Sequence, residues 1–122
     1  MCPTRSISKD RFLLYGDTCL THLNEMSADK PFPAYVKPEM HNAIIGCMVC
    51  QKNCPEDRKF VGFVENREGF DEKETAYLLK GDFSDKKKAK EMEEKLARVG
   101  IDLSVFPRNL VALVESEKCR AA

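Results

Sequence analysis

The sequence has no tryptophan and only seven phenylalanines and three tyrosines in 122 residues, so little aromatic surface is available to anchor a core. It also lacks net charge, because 20 acidic side chains balance 20 basic ones. Without a global field, neither nucleic acid nor an anionic membrane surface is an expected partner. No apolar run approaches the roughly 20 residues that cross a bilayer. The start, Met1-Cys2-Pro3-Thr4-Arg5-Ser6, lacks the apolar stretch of a secretory leader. The expected compartment is therefore the cytoplasm, where a framework of disulfides is disfavoured. There is no Gly-rich phosphate loop, and no pair of carboxylates is spaced for acid–base chemistry.

What remains is cysteine, six in all. The chain divides near Lys59 into parts of different character, 1–58 and 59–122, expected to form one domain together. The first holds Cys2, Cys19, Cys47, Cys50 and Cys54, five of the six prolines, and both histidines. It reads as loops and short helices around a centre. One helix is expected after Thr18 as N-cap, through Leu20, Leu23 and Met26, and another from Pro38 to Gly46. Lys30-Pro31-Phe32-Pro33 between them reads as an extended connector. His22 and His41, on these two helices, read as surface or capping residues.

The second part has conventional helix signals. Asp71 and Glu74 have the spacing of a capping box for a helix through Tyr77, Leu78 and Leu79, which Gly81 ends. Ser84 is the expected cap of a longer helix carrying Ala89, Met92, Leu96 and Val99 on one face. Charges four apart, Lys87–Glu91, Lys90–Glu94, Glu91–Lys95 and Glu94–Arg98, should support it by about 0.3 kcal/mol each. Lys86-Lys87-Lys88 then reads as a solvated face. A last helix from Pro107 carries Leu110, Val111 and Val114. Phe60-Val61-Gly62-Phe63-Val64 is the only β-like run and is too short to establish a sheet. The expected class is mainly α.

The sharpest signal is Cys47-x-x-Cys50-x-x-x-Cys54-Pro55. A two-residue gap lets two thiolates from one tight loop face a single inorganic centre, a spacing that zinc and iron–sulfur sites share. Pro55 biases Cys54 toward an extended conformation, suited to a ligand that faces away from the loop. Cys2-Pro3 is a second Cys-Pro pair. In two-cluster ferredoxins the cysteine before proline serves the other cluster, so the pairs occur as partners. Ile44, Ile45, Met48 and Val49 are expected to shield the centre. Cys119, remote from the motif, reads as a free thiol.

The series Cys2-Pro3-Thr4 through Asp10-Arg11-Phe12-Leu13-Leu14, then Cys19-Leu20-Thr21-His22-Leu23-Asn24-Glu25, then Gly46-Cys47-x-x-Cys50-Gln51-x-x-Cys54-Pro55 resembles the C-terminal part of the double [4Fe–4S] domain of epoxyqueuosine reductases and corrinoid reductive dehalogenases. Arg108-Asn109-Leu110 and Phe70 to Thr75 resemble the helical end of stand-alone double-cluster proteins. The resemblance implies a small ferredoxin-like cluster region packed with C-terminal helices. It further implies one cubane on Cys2, Cys19, Cys47 and Cys50, with Cys54 serving a second cluster. That cluster's other thiolates would come from a Cys-x-x-Cys-x-x-Cys run upstream of Cys2, which this sequence does not contain. A fragment or a shortened relative is the expectation, with a redox protein or a missing N-terminal domain as partner. The family's reductase chemistry uses a cobalamin-binding domain for which 122 residues leave no space. Electron transfer is therefore expected rather than catalysis, and a zinc-stapled interaction module is the alternative.

Overall fold

From Phe70 onward the polar end signals and the apolar spacing agree, and three helices result. A computed structural model describes every residue from Met1 to Ala122. Its helices are α1 (Leu20–Glu25), α2 (Val49–Lys52), α3 (Glu72–Lys80), α4 (Lys86–Ala97) and α5 (Phe106–Ala121), with 3-10 turns at Gly16–Thr18 and Pro38–Met40. It contains no strand, so the chain is mainly α-helical, and Phe60 to Val64 lie in turns and irregular backbone.

α3 begins as its sequence dictates. The Glu74 amide donates to Asp71 Oδ1 at 2.8 Å, and the Asp71 amide donates to Glu74 Oε2 at 2.9 Å, closing the capping box. Gly81 ends the helix at φ 66°, a left-handed conformation that a residue with a Cβ resists. At α4 the cap is Asp85 and not Ser84: Asp85 Oδ1 accepts from the amides of Lys87 and Lys88 at 3.1 and 3.3 Å. The physical reason is charge. Three lysines open this helix, and a carboxylate offsets both them and the positive end of the helix dipole, which a hydroxyl cannot do.

The apolar faces of α3, α4 and α5 meet in one cluster of Leu78, Met92, Leu96, Leu103, Phe106 and Leu110. Phe70 packs edge-on against Phe106, with ring centroids 5.4 Å apart. Val111, expected on the apolar stripe of the last helix, is 40% exposed, and Leu79 is 38% exposed.

The i,i+4 pairs expected along α4 do not form. Two of the cations pair off their own helix instead. Lys95 Nζ donates to both carboxylate oxygens of Glu74 at 2.9 and 2.8 Å and sits 4.8 Å above the Phe70 ring, while Arg98 pairs with Glu68 at 2.9 Å. A partner on another element restrains α4 against α3, which a same-helix pair cannot do. The Lys95–Glu74 pair is mostly shielded, so Lys95→Met is expected to cost about 1–2 kcal/mol, above the usual worth of an exposed pair. Urea unfolding at low and high salt checks this, and the loss should persist at high salt.

Before Lys59 the only buried apolar residues are Leu20 and Leu23, so hydrogen bonds carry much of the order there. Two local expectations change. Cys19, not Thr18, caps α1, because Thr18 belongs to the preceding 3-10 turn and its hydroxyl donates to the Tyr15 carbonyl at 3.0 Å. The helix expected from Pro38 to Gly46 stops after one turn at Met40, where the Asn42 side chain takes the Met40 carbonyl at 3.2 Å.

Helix α5 fastens this irregular part. Arg108 donates to four carbonyls at the end of α1 and just beyond it: Leu23 and Asn24 from Nη2, and Ser27 and Lys30 from Nη1, all at 3.0–3.1 Å. Its guanidinium also lies 4.5 Å from the Phe32 ring centre. Asn109 Nδ2 donates to the carbonyls of Asn24 and Ile44 at 2.8 and 2.9 Å. Ser116 and Arg120 both donate to the His41 carbonyl at 2.8 Å.

His41 is therefore not the surface residue its context suggests. Its side chain is buried, edge-on to Phe32 at 4.7 Å, with Nδ1 lacking a partner. Burial and then the Arg108 charge hold its pKa below the usual value, against a smaller opposing pull from Glu115. The unfolded chain protonates this histidine near pH 6.5, so the unfolded state binds the extra proton first. Stability is expected to fall as pH drops below about 6.5, by up to about 1.4 kcal/mol per pH unit. Urea midpoints at pH 7.5 and 5.5 check this, and in His41→Phe most of the difference should vanish.

Candidate metal centre

Cys2 opens the chain on a tight loop held by its own backbone. The Arg5 amide donates to the Cys2 carbonyl at 3.2 Å, with Arg5 at φ 55°, a left-handed conformation uncommon for a residue with a side chain. The turn brings small polar groups under the sulfur. Cys2 Sγ lies 3.7 Å from Thr4 Oγ1, which is 2.9 Å from Ser6 Oγ, which is 3.1 Å from Thr18 Oγ1. Partial burial pushes the Cys2 thiol up. The Thr4 hydroxyl and the amides of Ser6, Thr4 and Ile7 outweigh it and leave the pKa below the ordinary thiol value.

That hydroxyl series ends beside Cys19, the N-cap of α1. From the other end of α1, the buried Asn24 donates from Nδ2 to the Gly46 carbonyl at 2.9 Å, fixing the residue before Cys47. Gly46 is at φ 82°, so the bend that presents Cys47 suits glycine. Asn42 Nδ2 donates to Cys47 Sγ at 3.3 Å. Cys50 lies on the four-residue helix α2, exposed, and lines one shallow cavity together with Cys2.

The structure thus links the segments bearing Cys2, Cys19 and Cys47 by side-chain hydrogen bonds, and brings Cys50 to the same cavity as Cys2. Cys54 does not line that cavity, although its neighbour Asn53 does; it is half-buried, its amide donating to the Gln51 carbonyl at 3.1 Å. Cys119 is an exposed free thiol, and no disulfide is present. His22 is exposed and His41 is engaged with α5, so neither joins the cysteines.

A set of four cysteines is one that either zinc or an iron–sulfur cluster takes. No three Cys, His, Asp or Glu side chains converge here as a group that could hold a metal ion. The Asn42 amide turned toward the Cys47 sulfur suits a thiolate ligand. Shielding is thinner than expected: Met48 is 46% exposed, and Ile44 is turned to the core beneath α5.

The positioning groups, Thr4, Ser6, Thr18, Asn24 and Asn42, carry no metal-site signal in the sequence. The one available hint is the cluster of short hydroxyl residues directly after Cys2-Pro3.

Over 60 residues the chain is 30% identical to the epoxyqueuosine reductase of Atelocyanobacterium thalassa (isolate ALOHA). The match covers 49% of this chain and 19% of that protein, so the chain spans about a fifth of the length of the curated relative it matches. No protein-family profile matches the chain, and no solved structure matches it. No helix is long and apolar enough to cross a membrane.

Proposed function

We propose that this chain is an iron–sulfur protein of electron transfer that holds one [4Fe–4S] cluster on Cys2, Cys19, Cys47 and Cys50. The observation that carries the reading is the hydrogen-bonded linkage of the cysteine-bearing segments, with the Asn42 amide directed at Cys47. The partial likeness to an epoxyqueuosine reductase supports it. Cys54 would serve a second cluster, completed by thiolates from a redox partner or another part of a longer protein.

When bound, the cluster supplies reversible one-electron storage. The chain's own residues orient the ligands and manage their protons. The hydroxyl series ends on the Tyr15 carbonyl, which can only accept. Thr18, Ser6 and Thr4 therefore each donate away from the sulfur, and Thr4 accepts from the Cys2 thiol. Asn42 is a donor to the Cys47 sulfur whether that sulfur is thiol or thiolate. Each added donor at sulfur favours the reduced, more negative state of the centre.

Anaerobic reconstitution followed by dithionite tests the reading. The expected result is a broad visible absorption that bleaches on reduction, with a new paramagnetic signal. A colourless protein holding one zinc, unchanged by dithionite, would establish the alternative of a structural interaction module.

A further inference from the structure

The run Phe60-Val61-Gly62-Phe63-Val64, β-like in sequence, leads into a stretch of backbone that the fold leaves unpaired. From Val64 to Phe70 no N–H or C=O is hydrogen-bonded to the rest of the backbone, and the stretch belongs to no helix. Its side chains nevertheless alternate as those of a strand do. Phe70 packs on Phe106 and Glu68 pairs with Arg98, so these two positions are tied to the body of the molecule. Glu65 and Arg67, also two apart, pair with each other at 2.6 Å, with side chains 74% and 61% exposed. Phe63 and Gly69 continue that outward series and are exposed, and Val64 beside them is exposed as well.

An unpaired backbone edge with exposed apolar side chains is a template for a further strand. The charges on this edge select the strand. Antiparallel pairing with a second copy, about a two-fold axis through Asn66, sets Glu65 of each chain opposite Arg67 of the other, and symmetry makes the pair twice. The same register sets Phe63 opposite Gly69, where the missing side chain leaves space for the ring. Other registers do worse. An axis between Asn66 and Arg67 brings Glu65 against Glu68, and an axis at Glu68 brings Glu65 against Asp71. An axis between Arg67 and Glu68 draws on a carboxylate that Arg98 already holds. Parallel pairing in register sets each charge against its own copy. We propose that Phe63 to Gly69 pairs with the same segment of a second copy as a symmetric antiparallel ribbon, with Glu65 and Arg67 fixing its register. So short a contact gives a reversible dimer, and it forms whatever the cysteines hold.

Sedimentation equilibrium of the full chain in reductant, where Cys119 cannot cross-link two copies, tests the pairing. The expected result is a monomer–dimer equilibrium, with the amides from Val64 to Gly69 exchanging hydrogen more slowly as protein concentration rises. Glu65→Arg and Arg67→Glu each turn both cross-strand pairs into like-charge pairs, so each should weaken self-association about tenfold or more. The variant carrying both substitutions restores two opposite-charge pairs and should dimerise as the parent does. Mixed together, the two single variants should form a heterodimer, which neither misfolding nor the loss of a monomer contact produces. A chain that stays monomeric at about 1 mM would overturn the proposal and leave the edge to a strand of another protein. A dimer indifferent to the single substitutions, a double variant that fails to regain association, or exchange at Val64 to Gly69 independent of concentration would overturn it equally.

Discussion

Arg108→Ala is expected to lower the unfolding free energy by about 3–4 kcal/mol, the largest loss of any single surface-accessible side chain in this protein. The guanidinium donates to the carbonyls of Leu23, Asn24, Ser27 and Lys30, from Nε to Asn109 Oδ1 at 3.0 Å, and stacks on Phe32. Charge-assisted hydrogen bonds are worth about 1.5–3 kcal/mol each in isolation, and they do not add when they share one group. The cation–π contact contributes about a further 1 kcal/mol. Truncation leaves the carbonyls at the end of α1 without their cap, which is why the cost exceeds that of an ordinary surface substitution. A fall in melting temperature of roughly 10–15 °C should follow for a chain of this size. Lysine places one point charge where two pairs of carbonyls need a planar fork, so Arg108→Lys should recover less than half of the loss. Because Asn24, fixed by Arg108 and Asn109 through its carbonyl, also holds Gly46, the same variant should release the Cys47 loop.

Replacing Cys47 by serine is expected to reduce iron bound per chain about tenfold or more, since disturbing even the groups behind a ligand commonly costs 10–100-fold in metal affinity. Cys54→Ser should retain the iron of the cluster assigned to Cys2, Cys19, Cys47 and Cys50, and Cys119→Ser should be silent. Iron and acid-labile sulfide assays on anaerobically prepared variants separate these outcomes. Circular dichroism of the metal-free Cys47→Ser chain should match that of the metal-free parent, because Asn42 and Gly46 retain their backbone partners.

The second half of the fold was legible because its signals are local. Asp71, Glu74 and Gly81 mark α3 by capping chemistry alone, and the spacing of Met92 and Leu96 marks the buried face of α4. The first half was less so. Pro38 and Gly46 carry the marks of helix ends, yet the Asn42 side chain competes for the backbone between them, and long-range bonds from Ser116 and Arg120 fix the chain at His41. Such bonds span 75 or more residues and leave no periodic trace. The salt-bridge pattern of α4 failed for a related reason: spacing identifies which charges can meet on one helix, while the better-shielded partners Glu74 and Glu68 lie on other segments. In the candidate centre, the cysteine series named the thiols but not what positions them. Thr4, Ser6 and Thr18 act only because the loop after Cys2 folds back on the turn before Cys19.

The central claim is that four of these cysteines hold a cubane. Native mass spectrometry of anaerobically reconstituted protein weighs that centre directly. Four irons and four sulfides per chain, lost in Cys47→Ser and kept in Cys54→Ser, is the predicted result; a single zinc, or no added mass, would contradict it.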